Sequence, residues 1–127
     1  MPEARLFLYV AVGGALGSTA RYATQTWALM RFGDRFPTGT LLVNLAGAAL
    51  MGLLVGWSSG RAPTALIFLG SGVLGGFTTY SAFNQEVINL AVKGEPLKAG
   101  LYAAATLLGA LICGGATFAL GRSLSGV

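Results

Sequence analysis

The sequence predicts an all-α integral membrane protein with four transmembrane helices, and three observations carry that prediction. Of 127 residues, 54% are hydrophobic and 9% charged, with a mean hydropathy of +0.71. A soluble domain carries roughly 25% charged residues, so most of this surface does not face water. The apolar runs are also far longer than the roughly ten-residue strands of a membrane barrel. Finally, 20 glycines suit close helix packing in lipid, where small residues let backbones approach. The expected unit is a single domain over residues 1–127, with spans at about 6–29, 39–57, 64–92 and 99–120.

The first span begins near the terminus, yet it runs on through Gly13, Gly14 and Gly17 without the short apolar core and cleavage site of a signal peptide. Gly13 and Gly17 form a small-xxx-small packing face. Arg21 sits in or beside this span, where a charge is expensive, and either a pore-mouth or an anchoring role is open to it. A loop with Arg31, Asp34 and Arg35 leads to Pro37. The second span has no charge and one strongly polar residue, Asn44, which either bonds a neighbouring helix or serves a site. Gly52 and Gly56 repeat the packing motif, and Trp57 reads as an interface anchor.

The third span contains the stretch on which the chain turns, Gly75-Gly76-Phe77-Thr78-Thr79-Tyr80-Ser81-Ala82-Phe83-Asn84-Gln85-Glu86. Paired glycines weaken a helix, and the Thr pair offers the backbone other partners. A helix break near Gly75–Thr79 is therefore expected. In a membrane such a break is tolerated only where it is buried in protein or lines a wet cavity, and there it exposes carbonyls and amides that hold ions. Tyr80, Phe83 and Glu86 follow at i, i+3 spacing on one helix face. Aromatic pairs are usually packing, whereas an intramembrane carboxylate is a functional candidate by default. The fourth span is uncharged, with Tyr102, Thr106 and Thr117 as its main polar side chains.

Other functions are excluded on composition. No histidine and no acidic or thiol cluster is present, which argues against a zinc or redox-metal site, and Cys113 lies alone in an apolar run as a packing residue. The net charge of +4 is scattered, so nucleic-acid binding has no support. No nucleophile–base pair is visible, so an enzyme is not expected. Arg5, Arg61 and Arg122 fall on one side of the membrane, and Arg31, Arg35, Lys93 and Lys98 on the other. That near balance gives the positive-inside rule no instruction. A chain that inserts both ways can pair with its inverted copy, and four helices are few for enclosing a pathway alone. Both points favour an antiparallel, dual-topology homodimer.

Gly13-Gly14 to Arg21-Tyr22, the run Gly39-Thr40-Leu41-Leu42-Val43-Asn44, and Gly75 to Phe83 together resemble the signatures of the Fluc/CrcB family of small bacterial fluoride channels. The likeness covers all four spans in order. It implies a multi-pass protein of the bacterial inner membrane that exports fluoride passively through two pores of an antiparallel dimer. It also implies a structural sodium ion at the dimer centre, held by the carbonyls of Gly75 and Thr78, and no organic cofactor. By the same resemblance Tyr80 and Phe83 occupy aromatic box positions, Asn44 is a pore donor, Ser81 and Glu86 belong to a polar track, and Tyr102 faces it. The chemistry is coherent. Fluoride is a small acceptor that needs N–H, O–H and aromatic edges, while carbonyls suit a hard cation.

Four positions depart from the family pattern: Tyr80 stands for a usual phenylalanine, Ala82 for a hydroxyl residue, and Ala110 and Gly114 where hydroxyls are common. A heterodimer with a homologous second subunit is thus one alternative. A proton-coupled small multidrug exporter using Glu86 is another, and a non-transporting membrane subunit a third.

Overall fold

A computed structural model describes residues 3–126, and every regular element among them is helical. Helix α1 is Ala4–Phe32 and α2 is Thr38–Ser58. Helix α3 comprises a first turn, Pro63–Ala65, a π-helical stretch, Leu66–Leu74, and a closing α-turn, Gly75–Phe77. Helix α4 is Tyr80–Val92 and α5 is Pro96–Ser125. Proline opens both α3 and α5, where its missing N–H is an orphan donor in any case. Gly33 ends α1 at φ 81°, a conformation that favours a residue without Cβ.

Three segments are long and apolar enough to cross a membrane: Thr38–Ser58, Pro63–Val92 (α3 and α4 together) and Pro96–Ser125. Helix α1, the fourth expected span, has 29 residues, about 43 Å at 1.5 Å per residue. It is not among the three, because Arg5, Arg21 and Arg31 and the polar run from Ser18 to Thr26 dilute its apolar content.

Glycine makes the seams. The face of α1 bearing Gly13 and Gly17 lies backbone to backbone on α3. A Cβ at Gly13 would stand 2.7 Å from the Phe68 carbonyl oxygen, and one at Gly76 2.6 Å from that of Gly14. Helices α2 and α5 form the second seam. There a Cβ at Gly52 would collide with the Gly114 carbonyl, one at Gly56 with that of Phe118, and one at Gly121 with that of Leu53. The small-xxx-small faces read from the sequence are thus contact surfaces, driven by packing because lipid offers no hydrophobic gain for helix association. A small apolar core of Phe83, Leu90, Ala99 and Tyr102 ties α4 to α5, with Phe36, Leu41 and Val87 against it. Most other large apolar side chains face outward, as in a protein solvated by lipid.

The break falls later than the glycine pair. Gly75–Phe77 is still helical, and only Thr78 (φ −82°, ψ 158°) and Thr79 (φ −150°, ψ 116°) are extended. Glycines lower the cost of leaving the helix, but side chains from elsewhere fix where the chain leaves it.

Candidate functional site

Those side chains are Asn44 and Arg21. Asn44, half-buried on α2, holds Thr79 in both directions. Its Nδ2 donates to the Thr79 carbonyl at 3.0 Å, and the Thr79 amide donates to Oδ1 at 2.8 Å. One carboxamide thus does for Thr79 what a neighbouring strand does for a β residue. The Thr79 amide would otherwise close the helical bond to the Gly75 carbonyl, four residues back. Diverting it leaves that carbonyl without its helical donor. On the near side, Arg21 Nε donates to the Gly76 carbonyl at 3.1 Å. On the far side, Thr79 Oγ1 accepts from the Ala82 amide at 3.2 Å and caps α4. Thr78 bonds back to Leu74 through its amide, at 3.0 Å, and its hydroxyl, at 3.1 Å. A Cβ at Gly47 would strike the Thr78 methyl, so glycine lets α2 approach the break.

An open groove of about 500 Å³ lies over the break, and Asn44, Thr79, Tyr80, Phe83 and Thr106 are among its walls. Tyr80 is 75% exposed there, while Phe83 is 6% exposed. From this groove a ladder of edge-on aromatic contacts runs inward. Tyr80 meets Phe83 at 5.8 Å, Phe83 meets Tyr102 at 5.2 Å, and Tyr102 meets Phe36 at 5.4 Å between ring centroids. Such contacts leave ring edges, the electropositive part of the quadrupole, directed along the row.

Beyond the ladder is a second cavity of about 260 Å³, bounded by Gln25, Asp34, Phe36, Thr40, Glu86 and Lys93 among others. Here Thr40 Oγ1 donates to Glu86 Oε2 at 3.1 Å, and Gln25 Nε2 donates to Thr40 Oγ1 at 3.1 Å. Among the described residues three buried side-chain atoms have no hydrogen-bond partner: Glu86 Oε1, the Tyr102 hydroxyl and Thr106 Oγ1. Buried polar groups are normally satisfied. Tyr102 and Glu86 lie close enough to serve one another, which leaves Thr106 Oγ1, on the groove wall, as the buried hydroxyl most plainly open to a polar guest.

The residues singled out from sequence therefore distribute as follows. Asn44, Tyr80 and Phe83 share the groove, Glu86 lines the second cavity, and Tyr102 stands between the two through its ring contacts with Phe83 and Phe36. Ser81 lies on the exposed side of α4, 3.4 Å from the Thr79 hydroxyl. Thr78 is at the break and lines the groove, whereas Gly75 is exposed on the helix before it. Arg21 is half-buried, its Nε on the Gly76 carbonyl of the helix end before the break. No group of three or more His, Cys, Asp or Glu suited to a metal is found among the described residues. Sequence reasoning missed Thr40, Thr106 and Gln25 as members of the site. Thr106 was findable, four residues beyond Tyr102 on the same face of α5.

Residues 8–119 match the family model described as CrcB-like protein, Camphor Resistance (CrcB). Two relatives named "Fluoride-specific ion channel FluC", from Anaeromyxobacter sp. (strain K) and Anaeromyxobacter dehalogenans (strain 2CP-1 / ATCC BAA-258), are each 48% identical over 126 residues, covering 97% of this chain and 99% of the relative. A third of the same name, from Hyphomonas neptunium (strain ATCC 15444), is 47% identical over 106 residues, 80% of this chain and 84% of its own. With three membrane-length apolar segments and a match over nearly its whole length, the chain is a multi-pass protein of the bacterial inner membrane and belongs to the CrcB-like family.

Proposed function

We propose that this protein is a fluoride-selective ion channel, not an enzyme, and that it works as an antiparallel, dual-topology homodimer with two pores. The observation that carries the reading is the clamped break in the third span, opening onto a groove from which edge-on aromatic rings lead to unpartnered buried hydroxyls. Helix α1 supplies the fourth span. Family membership sets aside the multidrug-exporter alternative for Glu86.

In this reading a fluoride ion sheds water against successive donors. Asn44 Nδ2 keeps one proton free after bonding Thr79 and offers it to the groove. The edges of Tyr80 and Phe83 carry partial positive charge, and the hydroxyls of Thr106 and Tyr102 continue the path toward Glu86 and the second cavity. Ser81 adds a hydroxyl on the exposed side, which the second subunit would cover. Tyr80 and the groove lie open on the single chain, so the pore wall needs that subunit. The Gly75 carbonyl, deprived of its helical donor, and the Thr78 carbonyl would hold a sodium ion at the dimer centre together with the partner's equivalents. Such an ion would supply fixed positive charge, which favours an anion in a low-dielectric site. Arg21 takes the Gly76 carbonyl out of that set.

Fluoride efflux from liposomes containing only this chain, with chloride as control, tests the proposal. Rapid fluoride-selective efflux is expected. A well-folded protein that passes no fluoride would overturn the homodimeric channel, and efflux restored by a second homologue would establish the heterodimer instead.

A further inference from the structure

Within the channel reading, on which this step rests, we propose that Gln25 is the positioning residue that fixes the Thr40 hydroxyl proton on Glu86 and thereby sets the rate of ion passage through the second, loop-side cavity.

The placement begins with a glycine. Gly39 lets α2 approach α1 so closely that a Cβ there would lie 2.8 Å from the Gln25 Cα. That approach puts the Gln25 amide against Thr40, one residue on, at 3.1 Å. Thr40 is 3% exposed, so bulk water does not compete for its hydroxyl. A threonine hydroxyl carries one proton and two lone pairs. With the Gln25 N–H donating into a lone pair, the single proton is free to serve Glu86 Oε2, 3.1 Å away. With Glu86 ionised, the opposite amide orientation fails on proton count. It would set the Gln25 carbonyl and the Glu86 carboxylate against one hydroxyl with one proton, leaving one oxygen pair in contact with nothing between.

The consequence is directional. Gln25 turns a rotatable hydroxyl into a fixed donor, and the fixed donor takes up part of the charge on a carboxylate beside the anion's path. Glu86 has one other hydroxyl in reach, that of Tyr102, and no further side-chain donor holds its Oε1. Without Gln25, Thr40 is free to turn its proton away, and Glu86 keeps only the neighbouring Tyr102 hydroxyl to offset its charge as an anion arrives. Neither the spacing of Gln25 nor its type marks it in the sequence. It sits 15 residues from Thr40, and Thr40 sits 46 from Glu86.

The test combines a double-mutant cycle with a spectroscopic readout. Fluoride efflux is measured for the wild-type chain, Gln25→Leu, Thr40→Val and the double variant. Gln25→Leu is expected to slow efflux roughly tenfold, the scale of one well-placed hydrogen bond, and to have no further effect once Thr40 is Val. Equal slowing in both backgrounds overturns the assignment, because Gln25 would then act independently of Thr40. In parallel, the Glu86 carboxylate stretch is isolated by infrared difference against Glu86→Gln in monodisperse detergent samples. Gln25→Leu should shift that band, and Gln25→Glu, which can only accept from Thr40 when ionised, should shift it further. An unmoved band in both variants overturns the proposal whatever the flux. A band that shifts in a protein whose wild type passes no fluoride overturns the channel reading, and Gln25 then remains only the residue that orients Thr40.

Discussion

Replacing Asn44 by Ala removes both hydrogen bonds that hold Thr79, at 2.8 and 3.0 Å, and leaves an amide and a carbonyl of the break without partners. Interhelical hydrogen bonds in membrane proteins are worth about 0.6 kcal/mol each on average and up to about 1.7. The pair therefore contributes roughly 1–3 kcal/mol to the geometry of the break, a factor of about 5–150 in the local opening equilibrium. Amide exchange reads that equilibrium directly, since local opening governs protection. Peptides covering residues 78–82 should exchange faster by that factor in Asn44→Ala, while peptides from the α2–α5 seam around Gly114 and Gly121 keep their wild-type rate. Fluoride efflux should fall in the same variant. If efflux falls while exchange at 78–82 is unchanged, Asn44 acts on the ion alone and the clamp has no energetic weight. That result would refute the reasoning.

Three further outcomes follow from the packing and the charge pattern. Gly52→Val should lower the thermal unfolding midpoint in detergent, because its Cβ meets the Gly114 carbonyl and overpacking costs about 1–3 kcal/mol, whereas Gly100→Ala, with nothing within 4 Å, should be neutral or slightly stabilising. Gly75→Ala should leave the secondary structure by circular dichroism unchanged, since its Cβ meets only the Gly70 carbonyl of its own chain, at 3.5 Å. It should nonetheless weaken dimer formation measured by cross-linking. Adding two or three lysines to the 93–96 loop should lock a single orientation, read by accessibility of a terminal tag, and abolish efflux from the chain alone. Full efflux after confirmed locking would remove the antiparallel dimer.

What was legible in the sequence was what local pattern encodes. Apolar runs announce α2, α3–α4 and α5, and the spacing of Gly13 and Gly17 and of Gly52 and Gly56 announces the seams. The Gly-Gly-x-Thr-Thr run announces a break within a few residues of its place. The break's position at Thr78–Thr79 was hidden, because it depends on Asn44, 35 residues away, meeting a particular peptide group. The role of Arg21 was hidden for the same reason. Its partner is a backbone carbonyl 55 residues on, and a carbonyl has no letter in the sequence. Thr40 gave no signal because a single threonine in an apolar helix usually bonds to its own preceding turn.

The π-helical stretch Leu66–Leu74 bears on how the third span keeps its phase. An α-helix advances about 100° per residue, so adding or removing one residue turns everything beyond it by that angle. In this chain the stretch stands between the loop entry at Pro63 and the two features that must face different neighbours: Gly76 against α1, and Thr79 against Asn44. Its wider winding, with the Gly75 amide reaching the Gly70 carbonyl five residues back, turns each residue through a smaller angle than an α-helix does and so sets the phase at which Gly76 and Thr79 emerge. The stretch works as a vernier. Shortened by one residue it would relax toward ordinary winding, and the seam and the break could no longer both meet their partners.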